Sequence, residues 1–486
     1  MVLVVDRRRV VPLLEVAGAI AAIVIVAQRP DRWLLALVVG LPFQTVILAG
    51  AYSLGAPETA VRVAGYWKEV VALGLVLAAA RARRHHRRGP DRIDLLALAY
   101  LGIVLLYFAF PALFVHGGSP FDPGPPTDGS ILNIALRNTV LFVVIMLAVR
   151  RLDLPPDFKD RMITTVFRVG VVIAAIGIGE FVFSNAWNHL MVDTIQVPRF
   201  RFDIFDIVSS NAADVRYYSG TFAASSVRIG SVFLDPLECG TFLVLPLAIG
   251  LEHAVRVGRS SRFRLFAGMA TIGVAILLTQ TRGALLAVAI VAVCLARPSP
   301  WRSATQRLRL AVLAGVGLIM LIPVVVGTGL VERTAGALTS DDASTQVHVE
   351  RSRAALEALV SHPLGRGLGT STNAGLRFGV ATALNGENFY LQVGNETGVP
   401  SMFVFVALVL AMVGTLKRRR HGASILSPAV RATFMGLSWA AILMHMWSQP
   451  AVALITWAAV GATIPRVAPG GDDVGPDHYT STSLAR

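Results

Sequence analysis

The sequence predicts an all-α, polytopic integral membrane protein, and three observations support this fold class. The 486 residues are 54% hydrophobic and only 15% charged, and their mean hydropathy is +0.63. Such values lie outside the range of soluble domains and fit a chain whose main solvent is the bilayer. The apolar residues fall into runs long enough to cross roughly 30 Å of hydrocarbon. Arginines cluster in the short loops between these runs.

The apolar runs predict about twelve or thirteen transmembrane helices. They lie near 11–27, 33–54, 66–80, 93–115, 133–149, 162–183, 229–251, 265–281, 283–296, 310–328, 388–415, 432–447 and 451–465. If the first two runs both span the membrane, Arg7 to Arg9 would lie outside, against the usual charge distribution. One of these two runs could instead lie at the membrane interface, so the topology of residues 1–60 stays open.

Five short basic loops orient the remaining helices, because positively charged loops are retained on the cytoplasmic side. These loops are 81–92, 150–161, 256–264, 297–309 and 417–431. The longer polar segments 116–132, 184–228 and 329–387 are then external, and the last is a large loop between the helices near 310–328 and 388–415. Residues 1–465 form a single transmembrane domain in this scheme. Residues 466–486 are expected to be a disordered cytoplasmic tail.

Charge and cysteine content exclude several functions. A net charge of +14 would suggest a nucleic-acid partner in a soluble protein. Here the arginines follow the positive-inside pattern, so no nucleic acid is predicted. Cys239 and Cys294 lie in apolar runs without a metal-ligand or CxxC spacing, which indicates structural thiols. Neither a metal nor a cofactor is predicted.

Arg282 lies at the outer tip of a predicted helical hairpin formed by the runs 265–281 and 283–296. An arginine at this place breaks the positive-inside pattern. A guanidinium group matches phosphate oxygens in a bidentate manner, so Arg282 is a candidate for holding an anionic headgroup. An arginine that snorkels and only marks the membrane boundary is an equal alternative.

Arg228 precedes the next interrupted helix, in which Asp235-Pro and Glu238 disturb an apolar run. Proline and glycine at this point would open backbone groups towards a cavity. An ordinary helix start with its caps is the alternative interpretation.

A glycine-rich stretch and several lone histidines carry weaker signals. Residues 362–369, His-Pro-Leu-Gly-Arg-Gly-Leu-Gly, place Arg366 between alternating glycines. Such a run can turn backbone N–H groups towards phosphate, although by itself it indicates only a turn. His348, His362 and His445 stand alone in the sequence and are more often solvated or satisfied residues than ligands.

Residues 385–400 carry polar groups into the start of a hydrophobic helix, which is expensive at membrane depth unless the groups are used. Glu387 could be a general base, with Asn388 and Tyr390 positioning a sugar. The alternative is that Glu387 is a carboxylate near a helix N-terminus, where the helix dipole favours negative charge.

Taken in order, these motifs resemble the O-antigen ligase and O-antigen polymerase superfamily of bacterial membrane glycosyltransferases. The likeness covers roughly residues 220–465 and is carried by Arg228 with Gly230 and Asp235-Pro, Thr281-Arg-Gly-Ala, Pro363-Leu-Gly-Arg-Gly-Leu-Gly, Glu387-Asn-Phe-Tyr-Leu and Glu396-Thr-Gly. The resemblance implies transfer of a glycan from a polyprenyl diphosphate to an acceptor hydroxyl at the outer face of the cytoplasmic membrane. It implies no metal, cofactor or nucleotide sugar.

The resemblance also implies roles for individual residues. Arg282, with Arg228 or Arg366, would hold the diphosphate and stabilise its negative charge as it leaves. A base near 387–390 would deprotonate the acceptor, which attacks the anomeric carbon with inversion. Family ligases usually have histidine where this chain has Glu387, so a carboxylate would take that role, with His362 or His348 as alternatives.

Two functions from other classes remain open. One is a transporter or flippase for a lipid-linked or anionic substrate, although the paired halves and matched broken helices typical of transporters are not seen. The other is a non-catalytic partner in polysaccharide assembly. The predicted partners are the lipid-linked glycan donor, a glycan, lipid or protein acceptor, and membrane lipid. Ligase and polymerase activity are not distinguished, because they share the donor and differ only in the acceptor.

Overall fold

The computed structural model describes residues 7–82, 89–111, 129–205, 217–219, 226–256, 262–296, 343–371, 387–418 and 425–465. The helices before residue 210 are α1 (Arg7–Gln28), α2 (Pro30–Ser53), α3 (Glu58–Ala64), α4 (Trp67–Ala82), α5 (Arg92–Ala109), α6 (Gly129–Val149), α7 (Phe158–Val182), α8 (Ser184–His189) and α9 (Val197–Phe205). The later helices are α10 (Pro236–Phe242), α11 (Val244–Arg256), α12 (Arg262–Leu278), α13 (Arg282–Ala296), α14 (Ala343–Ser361), α15 (Phe389–Arg418), α16 (Leu426–Ala440) and α17 (Pro450–Thr463). This confirms the all-α class.

Seven described spans are long and apolar enough to cross a membrane: Pro30–Ser53, Glu58–Ala82, Arg92–Ala109, Ile131–Val149, Phe158–Val182, Pro236–Ala254 and Phe389–Arg418. Shorter apolar helices cover Gly18–Gln28, Phe263–Leu278, Arg282–Ala296 and Pro450–Thr463. The chain is therefore a polytopic membrane protein. The predicted helix near 310–328, the tail 466–486 and parts of the loops 116–132, 184–228 and 329–387 lie outside the described residues. The full helix count remains a prediction.

The core contains an aromatic cluster where α6, α15 and α17 meet. The ring centroids of Phe142 and Trp457 are 4.6 Å apart, and those of Phe405 and Trp457 are 5.9 Å apart. Phe389, the first residue of α15, packs 5.3 Å from Phe405. All four rings are buried. The cluster therefore fixes the start of α15, which carries polar residues of the predicted site.

Contacts between distant segments define the two ends of the helical bundle. At one end, which we call the basic end, Arg161 contacts Asp31 at the start of α2, at 3.0 Å. The other end of α2 meets a different segment, because the Tyr52 hydroxyl donates to Asp203 at 2.6 Å. Helix α2 therefore crosses the bundle, and the segments 150–161 and 197–205 lie at opposite ends.

A buried ion cluster closes the basic end. Arg150, only 2% exposed, pairs with Asp91 and with Asp94, and its Nη1 lies 2.6 Å from Asp94 Oδ1. Its Nε also donates to the backbone oxygen of Ile464 at 3.2 Å. The cluster joins α5, α6 and the end of α17. Charges buried in this way require partners, and here they are supplied by neighbouring helices.

The predicted break between two helices at Arg282 is confirmed, since α12 ends at Leu278 and α13 begins at Arg282. The two helices pack mainly against α7 and α16, respectively, and meet each other only near the turn. The predicted run 229–251 is interrupted near Asp235-Pro, as expected: a 3₁₀ turn at Ser231–Phe233 precedes α10 and α11, which follow one another closely. The described part of the segment 184–228 contains α8, a π-helical turn, α9 and the antiparallel strands β1 (Tyr217–Ser219) and β2 (Ser226–Arg228).

One predicted helix is too long. The run 432–447 does not remain helical, because α16 ends at Ala440 and residues 441–449 form turns and a short 3₁₀ helix. Pro450 opens α17 and forces the preceding Gln449 into an extended conformation (φ −88°, ψ 113°). We call residues 441–449 the bridge. Hydropathy alone did not reveal it, since the bridge is as apolar as the helices beside it.

Cys239 and Cys294 are free and buried, as expected of structural thiols.

Candidate functional site

Three segments meet at the end of the bundle opposite the basic end. The hairpin tip, residues 279–282, contacts the segment 229–236, because Ile229 N donates to Leu278 O at 3.2 Å and Thr281 Oγ1 donates to Pro236 O at 2.9 Å. The bridge contacts Gly283, the residue after the tip, where a Cβ atom would lie 2.5 Å from Met444 Sδ. The sequence separates these segments by up to about two hundred residues, yet the fold places them side by side.

Arg228, at the end of β2, lies directly on the hairpin tip. Its Nε donates to Thr279 O at 2.9 Å and its Nη2 to Thr281 Oγ1 at 3.4 Å. Arg282, the residue after Thr281, is exposed and begins α13. Gln280 adopts a positive φ of 51°, which allows the chain to reverse within three residues. The structure therefore brings the predicted residues Arg228 and Arg282 to one place.

The segment after Arg228 is held in an unusual conformation by Glu180, at the end of α7. Its Oε2 accepts hydrogen bonds from Ser231 N at 2.6 Å and Gly230 N at 3.1 Å. Ser231 and Leu234 have positive φ values of 50° and 56°. Such non-glycine conformations cost on the order of 1–3 kcal/mol each, and the carboxylate helps to offset this cost. Glu180 was missed by the sequence analysis, although a lone carboxylate ending an apolar run was an available signal.

Asp235 and Glu238 connect this segment to α10 and to α17, respectively. Asp235 Oδ1 caps α10 by accepting from Leu237 N at 2.8 Å. Glu238 Oε1 accepts from Ala451 N at 3.3 Å, and Thr241 Oγ1 lies 3.2 Å from Gln449 Oε1. The ordinary capping role considered for this region is therefore present.

Glu387 has a partner that the sequence did not indicate. Its Oε1 accepts from Arg351 Nη1, on α14, at 2.6 Å. Its backbone has a positive φ of 49°, so the chain turns sharply at the entrance to α15. The Glu387 side chain is 19% exposed, which leaves it partly accessible. The ion pair fixes the orientation of this carboxylate at the entrance to α15.

Asn388 and Tyr390 both contribute to the local fold. Asn388 Oδ1 caps α15 by accepting from the backbone N–H groups of Tyr390, at 2.9 Å, and Leu391, at 3.1 Å. The Tyr390 hydroxyl donates to Ser438 O at 2.8 Å. Phe389 N donates to Ala441 O at 2.9 Å, which joins this turn to the bridge. The helix cap considered for Glu387 is thus supplied by Asn388, and sugar binding by Asn388 and Tyr390 remains a prediction.

The glycine-rich stretch folds onto α15 and binds a carboxylate of the protein itself. The backbone N–H groups of Gly369 and Ser371 donate to Glu396 Oε1 at 3.1 and 3.2 Å. Gly365, Gly367 and Gly369 have φ values of 82°, 98° and 88°, a region that favours glycine. Part of the backbone cradle that the sequence suggested for phosphate is therefore occupied by Glu396.

Arg366 is anchored away from Glu387. Its backbone N donates to Asn395 O at 2.7 Å. Asn395 lies eight residues after Glu387, which corresponds to roughly 12 Å along a helix. Arg228 and Arg282 therefore share the tip, Glu387 and Asn388 lie at the bridge, and the backbone of Arg366 is held further along α15.

His445 lies in the bridge and was noted in the sequence only as a lone histidine. Burial lowers the pKa of His445, whereas the charges of Asp235 and Glu387 act to raise it. His445 is thus within electrostatic reach of both carboxylates, which come from segments about 150 residues apart. No spacing in the sequence relates these three positions.

The site combines guanidinium groups at the tip with carboxylate and imidazole groups nearby. Guanidinium groups bind acceptor-rich anions, and an ionised carboxylate or neutral imidazole can accept a proton. In the part of the chain that the structure describes, no group of three or more His, Cys, Asp or Glu residues is placed to hold a metal ion. The arrangement fits anion binding next to proton transfer.

Comparison with known proteins finds a family model that matches part of the chain. Residues 267–406 match the family model described as O-antigen ligase. Comparison with proteins of curated function finds no match. The matched segment contains the tip with Arg282 and the start of α15 with Glu387, while Arg228, Glu180 and the bridge lie outside it. The match to residues 267–406 supports the resemblance to the O-antigen ligase and O-antigen polymerase superfamily.

Proposed function

We propose that this protein transfers a glycan from a polyprenyl diphosphate to an acceptor hydroxyl at the outer face of the bacterial cytoplasmic membrane. The observation that carries the proposal is the hydrogen bonding of Arg228 to the tip that presents Arg282. Two guanidinium groups at one tip form a site for an anion with several oxygens. The match to an O-antigen ligase domain supports a glycan donor of this class.

The arginines of the tip would stabilise the leaving group. As the bond between the anomeric carbon and the diphosphate breaks, negative charge develops on the diphosphate oxygens. Positive groups that are already oriented stabilise such charge without reorganising during the reaction. The hydrogen bonds of Arg228 to Thr279 and Thr281 provide this orientation. Metal and nucleotide sugar have no part in the proposed reaction.

Glu387 would act as the general base. It takes the proton of the acceptor hydroxyl while the acceptor oxygen forms a bond to the anomeric carbon, from the side opposite the diphosphate. The configuration at that carbon is inverted, and the polyprenyl diphosphate leaves with the electron pair of the broken bond. Arg351 holds the carboxylate in place at 2.6 Å. Asn388 and Tyr390 would lie beside the acceptor.

Mass spectrometry of lipid-linked glycans tests the proposal in cells that carry Arg282→Ala. Accumulated single repeat units on the lipid would identify a polymerase, and accumulated long chains would identify a ligase. Arg353→Ala is a matched control, because Arg353 is an exposed arginine that pairs with Glu357 on its own helix. Unchanged lipid-linked and surface glycan in Arg282→Ala cells, at equal protein level, would contradict a catalytic role of Arg282.

A further inference from the structure

Helix α7 approaches the segment that follows Arg228 closely. Ser231 Oγ donates a hydrogen bond to Ile173 O of this helix at 2.8 Å. One turn later along α7, a Cβ atom on Gly177 would lie only 2.8 Å from Ile229 Cδ1, which shows how tightly the two elements pack. The backbone of the segment therefore lies directly against the helix, within reach of a side chain from its next turn.

Glu180 is the side chain that the next turn provides. It is 3% exposed, and its Oε2 accepts from Ser231 N at 2.6 Å and from Gly230 N at 3.1 Å. Glu180 lies in the last turn of α7, where the helix dipole disfavours negative charge. The two N–H groups offset this cost and the cost of burying a carboxylate. The same hydrogen bonds fix the backbone immediately after Arg228.

The fixed backbone determines where the side chain of Arg228 lies. Ile229, between Arg228 and the two bound N–H groups, donates its own N–H to Leu278 O at 3.2 Å. The guanidinium group of Arg228 then reaches the tip, where its Nε donates to Thr279 O at 2.9 Å. A shift of the segment away from α7 would therefore move this guanidinium group relative to the rest of the tip.

We propose that Glu180 is a positioning residue of the anion site at the tip: by binding the backbone after Arg228, it sets the affinity of this site for diphosphate. The inference rests on the proposed function, which assigns a diphosphate to Arg228 and Arg282. A carboxylate carries the same sign of charge as this ligand, so the contribution of Glu180 to binding is geometric. Glu180 lies outside the matched segment 267–406, and the reaction steps proposed above do not use it.

Equilibrium binding of inorganic diphosphate to the purified protein in detergent tests this inference. We expect Glu180→Gln to weaken binding about tenfold, because an amide has one acceptor oxygen and turns its own N–H groups towards donors. Glu180→Asp should weaken binding to a similar extent, since it keeps the carboxylate but withdraws it by one methylene group. Asp157→Asn is the matched control and should bind like the wild type, because exposed Asp157 pairs with Arg161 at the other end of α7.

A double-mutant cycle shows whether Glu180 acts through Arg228. Arg228→Ala should itself weaken diphosphate binding, and the further change Glu180→Gln should then have no additional effect. Additive losses, or wild-type affinity in Glu180→Gln, would overturn the inference. Tighter binding in Glu180→Gln would also overturn it, because the charge of Glu180 would then matter more than the position of Arg228.

The arginine variants separate this inference from the proposed function. If Arg228→Ala and Arg282→Ala both weaken binding but Glu180→Gln does not, the role of Glu180 alone is wrong. If neither arginine variant weakens binding, the tip does not bind diphosphate, and the proposed function fails together with this inference. Melting temperatures identify a variant that has lost its fold. If Glu180→Gln does not fold, Glu180→Asp decides alone.

Discussion

Single residues in this protein are positioned by partners that are distant in the sequence. Glu387 is oriented by Arg351, 36 residues earlier, and the segment after Arg228 is held by Glu180. Both partners are charged side chains whose role follows only from the packing of helices. At this scale the site is a set of oriented charges, and removal of an orienting partner should affect the reaction without removing a reacting group.

We expect Arg351→Ala to lower the transfer rate about 10- to 100-fold with little change in the KM for the lipid-linked donor. A general base that loses its orientation by about 1 Å can lose this much activity. Initial rates of glycan transfer by purified protein, over a range of donor concentrations, measure the effect. Arg351→Lys should restore part of the rate, because lysine keeps the charge but not the planar guanidinium fork.

Arg353→Ala is the control for this prediction, since it removes an exposed arginine two residues away on the same helix. Its transfer rate should match that of the wild type. Equal losses in Arg351→Ala and Arg353→Ala would instead point to a general weakening of α14. An unchanged rate in Arg351→Ala would remove the positioning role that we assign to Arg351.

The sequence could predict those site residues whose chemistry contrasts with their local surroundings. Arg282 was visible because a guanidinium group interrupts two apolar runs, and Glu387 because polar residues enter a hydrophobic helix. Arg351 and His445 could not be found in this way, since one is an ordinary charge on a polar helix and the other a lone histidine. Their relevance arises from contacts between segments, which local patterns do not contain.

Helix α15 shows at the scale of one element how a membrane helix is adapted to carry polar groups. Its backbone leaves the helical conformation at Gly398, where φ is 86°, just before Pro400. The part before this kink carries Asn395 and Glu396 into buried positions, and Glu396 binds the glycine-rich loop. Hydropathy predicted this helix from 388 to 415, but it could not predict the kink, because proline inside a membrane helix does not always cause one.

We expect Gly398→Ala to destabilise the protein by about 1–3 kcal/mol, because alanine is strained at this positive φ. An added Cβ would also lie 2.9 Å from the backbone carbon of Leu364, in the loop that docks at the kink. Thermal unfolding of the detergent-solubilised protein measures the change. A backbone clash of this kind cannot be relieved by rotating a side chain, so the loop or the helix must move.

Gly414→Ala provides the matched control, since Gly414 lies in the same helix and an added Cβ there meets nothing within 4 Å. This variant should be neutral or slightly stabilising, because alanine has the higher helix propensity. If both variants had the same melting temperature, the kink at Gly398 would not be a specific feature of the folded state.

The whole molecule separates a structural end from a candidate functional end. The basic end is closed by Arg150 with Asp91 and Asp94, and these charges are satisfied within the protein. The opposite end gathers Arg282, Glu387 and the bridge. From the sequence, the positive-inside pattern predicts that the basic end is cytoplasmic, because this pattern depends on the composition of short loops and not on the details of packing.

Cysteine labelling tests the orientation of the whole molecule in the membrane. Arg353→Cys places a thiol at the functional end, at a position whose side chain is 79% exposed. Lys417→Cys places one at the basic end, in the exposed last turn of α15. We expect a membrane-impermeant maleimide to label the first variant in intact spheroplasts and the second only after permeabilisation. The native Cys239 and Cys294 are buried and should give little background. The reverse labelling pattern would place the tip and Glu387 in the cytoplasm, where a donor presented at the outer face could not reach them.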